Sequence, residues 1–241
     1  MVSHFVLMNA DYRVMMSATV GGKEAFDENI GIHYTESKNS EMDRIPSTFD
    51  FSKSPVIVLN KYSMGYKTKE ASFKALKPII YKLIEKHKGE RGIIQTSSYE
   101  NAIELLKDAP KEIKSRLLMY TNTDEKKKLL KIYSQVKGKV IIGPSLTEGI
   151  DMPDDLCRFI IILKVPYPSL TSQLVKEKMK IFPRWYASTT SNSIIQGIGR
   201  GNRNKNDYCT TYILDSCFKK LYNETYSQYS SELRERIKFY S

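Results

Sequence analysis

Short runs of β-branched and other apolar residues recur along the chain, separated by stretches whose apolar positions fall at helical spacing. The runs are Val56–Leu59, Gly92–Thr96, Val140–Ile142, Phe159–Leu163 and Thr211–Leu214. Their nearly unbroken apolar character predicts strands buried on both faces. Between them Phe73, Leu76, Ile80 and Leu83 share one helical face, as do Ala102, Leu105 and Leu106, then Leu129, Leu130, Tyr133 and Val136. Leu117 to Thr121 reads as a further short strand. This alternation predicts right-handed crossovers and an α/β fold, a doubly wound parallel sheet with helices on both faces and ligands at the carboxyl ends of the strands.

Pro78 falls inside the first helical pattern, where its missing N–H kinks a helix or marks its true start. Residues 34 to 50 are polar and include Pro46, which predicts a linker between a short N-terminal piece, residues 1–45, and a main domain over residues 46–241. No internal repeat or low-complexity tract interrupts the pattern.

Composition narrows the picture without deciding it. A chain of 241 residues, 41% hydrophobic and 27% charged, is long enough for one sizeable core. Its 38 basic and 27 acidic residues leave a net charge of +11, which favours a polyanionic partner such as nucleic acid; solvated lysine faces such as Glu125-Lys126-Lys127-Lys128 are the alternative source of that excess. Cys157, Cys209 and Cys217 lack a CxxC spacing, so neither a zinc site nor a disulfide framework is expected and all three read as buried free thiols. His4, His33 and His87 are isolated in the sequence, with no nucleophile beside them. The N-terminus lacks an apolar signal core, no run approaches the ~20 apolar residues of a membrane span, and the expected compartment is cytoplasmic.

The strongest candidate chemistry is the run Gln196-Gly197-Ile198-Gly199-Arg200-Gly201-Asn202-Arg203. It spaces two arginines one helical turn apart, beside glycines that leave the backbone open; paired guanidiniums suit phosphate oxygens, and a solvated basic turn is the plain alternative. Ser97, Ser98 and Tyr99 follow the second strand, where hydroxyls and helix amides suit a phosphate and a tyrosine suits a base, or Ser98 simply caps a helix. Gly143 to Asp151 follows the fourth, with Glu148 and Asp151 on one loop. These carboxylates read either as partners of the arginine pair or as a surface turn closed by Pro153.

Taken in order, Ser17-Ala18-Thr19, Gln95-Thr96-Ser97-Ser98-Tyr99, Glu148-Gly149-Ile150-Asp151-Met152-Pro153 and Gln196 to Arg203 resemble the later motifs of superfamily 2 helicases, and the XPD/DinG branch above all. Pro46-Ser47-Thr48-Phe49-Asp50, the continuation through Arg158 into Val165-Pro166-Tyr167-Pro168, and Asp215 with Phe218 fit the same branch. The resemblance implies a second RecA-like (P-loop NTPase-like) motor domain preceded by the tail of the first. It implies that Arg200 and Arg203 act as arginine fingers on ATP; that Gln196, Gly199, Gly149 and Asp151 line the nucleotide; that Ser97, Tyr99, Thr147 and Glu148 touch single-stranded DNA; and that Ser17 and Thr19 couple nucleotide state to domain closure.

Two departures stand out. Asp207-Tyr208-Cys209 occupies the place where the family commonly has Asp-x-Gly, and neither a G-x-x-x-x-G-K-[ST] phosphate loop nor an Asp-Glu-x-His run is found. The expectation is therefore half of a DNA helicase: ATP and Mg2+ belong to the complete enzyme, none is bound by this chain alone, and the partners are single-stranded DNA and a first RecA-like domain in cis or in trans, with no membrane. The alternative is a non-catalytic nucleic-acid- or partner-binding module derived from a motor domain. A cytoplasmic or nucleoid-associated location accompanies either.

Overall fold

The structure is a computed structural model, described here over residues 12–17, 19–32, 40–47, 51–144, 152–204 and 206–241. Its elements are α1 (Lys23–Ile30), β1 (Val56–Leu59), α2 (Lys69–Lys86), β2 (Gly92–Gln95), α3 (Tyr99–Asp108), α4 (Lys111–Lys114), β3 (Leu117–Met119), α5 (Thr123–Gln135), β4 (Val140–Gly143), β5 (Phe159–Ile162), α6 (Gln173–Ile181), α7 (Trp185–Ile198), β6 (Thr210–Ile213), α8 (Cys217–Glu224), α9 (Ser231–Arg236) and β7 (Ile237–Tyr240). The strands form one sheet in the order β3-β4-β2-β5-β6-β1-β7, with every pair parallel. This is the parallel α/β sheet that the alternating pattern predicts, and it agrees with the RecA-like fold that the resemblance implies.

Both faces of the sheet are covered. Phe73, Leu76, Ile80 and Ile84 of α2 and Ala102 and Leu105 of α3 pack with Ile94, Ile142, Ile161 and Tyr212. The alternate strand positions Ile93, Ile141, Ile160, Ile162 and Ile213 are buried as well, as period-two strands between two helical layers require. Four buried apolar side chains hold α2 in one piece although Pro78 lies inside it, so Pro78 does not mark its start. At its C-terminal end Arg116 donates to the carbonyls of Ile84, His87, Glu90 and Gly138, which pairs acceptors that the end of a helix leaves over.

The third helical pattern is shallower than its spacing suggests. Among the described side chains of α5 only Tyr133 is buried, with its hydroxyl donating to the Leu156 carbonyl at 2.5 Å, while Val136 lies past the helix end and is 40% exposed. β7 has no counterpart in the sequence pattern, because Lys238 and the exposed Tyr240 break its apolar run at the sheet edge.

The chain divides into two compact units. One comprises residues 1–47, 166–195 and 221–230; the other comprises 48–165, 196–220 and 231–241 and holds the whole sheet.

Candidate functional site

The arginine run sits at the amino-terminal edge of the sheet. Parallel pairing of β5, β6 and β1 sets Phe159 beside Thr210 and Val56 beside Thr211, so everything leading into β6 lies at the strands' starts. This is the edge opposite the strands' carboxyl ends, and the two arginines, though one helical turn apart in the sequence, do not share a helix. α7 stops at Ile198, a 3-10 turn covers Gly199–Gly201, and Asn202 is extended at φ −128 and ψ 95, which carries Arg203 into the following loop.

Packing explains the break. A Cβ on Gly201 would lie 2.4 Å from both Cβ and Sγ of Cys209, so only glycine fits against that thiol. The side chain that replaces the family's glycine at position 209 thus fills the space that Gly201 leaves. Cys157 and Cys209 are both buried, with their sulfurs 4.0 Å apart, and burial pushes the Cys209 thiol well above its ordinary pKa. Cys217, expected to be buried, is only half-buried.

A polar network holds the loop in place. Asp207 is buried and accepts from the backbone N–H of Arg203 at 2.9 Å, from Asn204 Nδ2 at 3.3 Å and from Arg158 at 3.3 Å. Arg158 also lies 4.2 Å from the centre of the Tyr208 ring. Asn202 donates to Ser54 Oγ at 2.7 Å, and Ser54 Oγ accepts in turn from the Cys209 N–H. Arg236 donates to the Ser54 carbonyl at 2.6 Å and rests on the Phe51 ring; burial lowers its pKa to about 10, which leaves it charged at neutral pH. With the backbone held this way, Arg200 is half-buried, Arg203 is exposed, and nothing lies within 4 Å of an added Cβ at Gly199.

The carboxyl edge is built differently. Asp215, directly after β6, is buried and accepts from the backbone N–H groups of Met64 at 3.0 Å, Val165 at 3.0 Å and Cys217 at 3.1 Å. One carboxylate therefore ties together the loops leaving β1, β5 and β6. Past β2, Ser98 Oγ accepts from the Asn101 N–H and caps α3, while Ser97 is exposed and hydrogen-bonds Asn101 Oδ1. Tyr99 is 39% exposed and meets the ring of Tyr120 edge-on at 5.9 Å. Burial pushes the Tyr120 phenol up to about 12, in keeping with a hydroxyl that donates to the Pro144 carbonyl.

Comparison with known proteins decides what this arrangement belongs to. The family described as helicase C-terminal domain matches residues 80–236. The chain belongs to that family. A solved structure of apo XPD aligns with a TM-score of 0.65 at 18% identity, covering 93% of this chain and 48% of that one. Xpd4 of S. tokodaii aligns at 0.56 and 14% identity, over 79% of this chain and 39% of that one; both likenesses show the fold. The ATP-dependent DNA helicase chl-1 of Caenorhabditis elegans is 32% identical over 88 residues, 33% of this chain and 11% of that relative. CHL1 of Kluyveromyces lactis is 30% identical over 116 residues, 41% and 14% respectively. The chain thus spans a small part of the curated relatives it matches.

Within this helicase domain the sequence-expected residues fall into separate groups. Gly199, Arg200 and Arg203 share the amino-edge loop, Gln196 lies in the last turn of α7 just before it, and Ser97 and Tyr99 share the carboxyl edge. Thr147, Glu148, Gly149 and Asp151 lie outside the described residues. Ser17 and Thr19 belong to the other compact unit, where the Thr19 N–H donates to Ser17 Oγ and both line a concavity of about 780 Å³ with Lys23, Arg44, Asn192 and Gln228. His87 is isolated only in the sequence. It is buried, bonded to Glu90 at 2.6 Å and to the Tyr212 hydroxyl at 2.9 Å, and stacked on Phe159. Sequence reasoning missed Ser54 and Arg236, and the role of Asn202 as the partner of Ser54, because no local pattern marks partners that far apart. Among the described residues no three His, Cys, Asp or Glu side chains group as metal ligands, and no helix is long and apolar enough to cross a membrane.

Proposed function

We propose that this chain is the C-terminal motor half of an ATP-dependent DNA helicase, with Arg200 and Arg203 as arginine fingers on a nucleotide held by a first RecA-like domain. The observation that carries the reading is the Gly199–Arg203 loop, which is anchored through the Arg203 N–H on Asp207 and the Asn202 side chain on Ser54 and which sets its two arginines, in sequence, beside a glycine with open space at its Cβ position. A preorganised loop does not have to be ordered when charge develops on the transferred phosphoryl group, so its cations act at full effect. Arg200 and Arg203 donate to the phosphate oxygens, Gly199 lets the backbone come close, and Gln196, Gly149 and Asp151 line the nucleotide. Mg2+, when bound with a phosphate loop from the first domain, neutralises β- and γ-phosphate charge. Ser97, Tyr99, Thr147 and Glu148 hold single-stranded DNA, and Ser17 and Thr19 link the nucleotide state to closure of the two domains.

The separation of Arg200 and Arg203 from Ser97 and Tyr99, at opposite edges of one sheet, supports this division of labour. The test is DNA-stimulated ATP hydrolysis, measured for the 241-residue chain alone, mixed with a phosphate-loop half, and mixed as Arg200→Ala and Arg203→Ala. The chain alone is expected to be silent, the mixture active, and each arginine variant slower by roughly 10³- to 10⁵-fold. Hydrolysis indifferent to both arginines would replace this reading with a non-catalytic binding module.

A further inference from the structure

The loop that leaves β1 presents an aromatic side chain that the proposed contacts do not use. Tyr66 is 89% exposed, an unusual position for a tyrosine ring on a loop that is otherwise firmly held. Met64 is buried and its N–H is bonded to Asp215; Thr68 Oγ1 donates to the Ser63 carbonyl, the N–H groups of Thr68 and Lys69 donate to the Gly65 carbonyl, and the Ser216 N–H donates to the Tyr62 carbonyl. Tyr66, Lys67, Lys69 and Glu70 line a shallow concavity of about 300 Å³, and Lys69 Nζ lies 6.0 Å from the centre of the Tyr66 ring. Ring and ammonium groups side by side match a base and its phosphate.

Topology makes this place special. β1 leads through α2 to β2, toward one end of the strand order, whereas β6 leads through α8 and α9 to β7, toward the other. Connections that run in opposite senses along the strand order thus start from the adjacent pair β1 and β6, and open α/β sheets take their ligands at the carboxyl ends of such pairs. β2, which precedes Ser97 and Tyr99, is three positions away in the order β2-β5-β6-β1. At the usual strand spacing this is about 14 Å, a span of a few nucleotides of single strand.

We infer that Tyr66 is a nucleobase-stacking site, flanked by Lys67 and Lys69 on the phosphates, and that the single strand runs along the carboxyl edge from Tyr99 to Tyr66. This rests on the proposed function and extends its strand path by a second aromatic contact. The exposed ring lies on a loop fixed without its help, so its removal leaves the fold alone.

The test is fluorescence anisotropy of a labelled deoxythymidine oligonucleotide, and of an abasic version, with the wild-type chain and with Tyr66→Ala, Tyr66→Phe, Lys67→Ala and Tyr99→Ala. Tyr66→Ala is expected to weaken binding roughly 5- to 150-fold without changing the salt slope, to have no effect on the abasic strand, and to be rescued by Tyr66→Phe. Lys67→Ala is expected to lower the salt slope by about 1. Tyr66→Ala binding as tightly as wild type while Tyr99→Ala binds weakly, or an equal loss on the abasic strand, would overturn the stacking site and leave the functional reading standing. A wild-type chain that binds no single strand would overturn that reading, and the site with it.

Discussion

Asp207, just before β6, and Asp215, just after it, are both buried, yet the two edges of the sheet they organise are unlike. Asp207 takes part in a network made largely of side chains: Arg158, Asn204 and, one residue further, the Asn202–Ser54–Arg236 cluster. Asp215 instead accepts backbone N–H groups from three loops. An edge held by backbone donors leaves its own side chains for other uses, and there Ser97, Tyr99 and Tyr66 face solvent. An edge held by side chains spends several of them on itself, and beside them stand the half-buried Arg200 and the exposed Arg203. The first arrangement suits a surface that grips a long ligand at many points; the second suits two cations held in one place.

The sharpest way to break this comparison is Asp215→Ala, which strands three backbone donors at once. It is expected to cost about 4 kcal/mol of stability in urea unfolding, the largest single effect here. Gly201→Ala comes next, at about 2 kcal/mol, because its methyl group would meet Cys209 at 2.4 Å. Combined with Cys209→Gly, which restores the family's glycine, the same change is expected to cost under about 1 kcal/mol; a double-mutant cycle that shows no coupling would separate these two positions. Asp207→Asn is expected to cost about 1 to 2 kcal/mol, since Arg158 keeps its place on the Tyr208 ring. In the complete helicase, however, its effect on ATP hydrolysis should exceed its effect on stability. A cost equal to that of Asp215→Ala would erase the distinction between the two edges.

The smallest effect is set by pH. Burial lowers the pKa of His87, and the hydrogen bond and charge of Glu90 oppose this only in part. A folded-state pKa below the unfolded value of about 6.5 means that the unfolded chain takes up the proton first. The stability associated with neutral His87 is therefore complete above that value and falls as pH drops through it toward the lower folded pKa, with a slope of at most about 1.4 kcal/mol per pH unit. Urea midpoints between pH 7 and 5 would show this slope, and His87→Gln should flatten it.

Much of the fold was legible because strand burial and helical spacing are local properties. The apolar runs at Val56, Gly92, Val140, Phe159 and Thr211 all became strands, and Leu117 to Met119 did as well. Where periodicity was diluted, the reading failed: Lys238 hid β7, and Val136 looked like core although its helix ends one residue earlier. The candidate chemistry was legible as residue types and spacing, but not as geometry. The glycines in the arginine run suggested an open backbone, which Gly199 has; Gly201 instead accommodates a thiol from eight residues further along.

The sequence by itself determined the alternation of strands and helices, the parallel α/β class and the kind of residues at each strand end, since all of these follow from neighbours within a few positions. Only the tertiary structure decided that the arginine loop and the Ser97–Tyr99 turn lie at opposite edges. The same holds for the pairing of Asn202 with Ser54 and of Asp215 with Met64, which are 148 and 151 residues apart in the chain. Such pairs depend on strand order and on which polar groups packing removes from water, and no local pattern carries either.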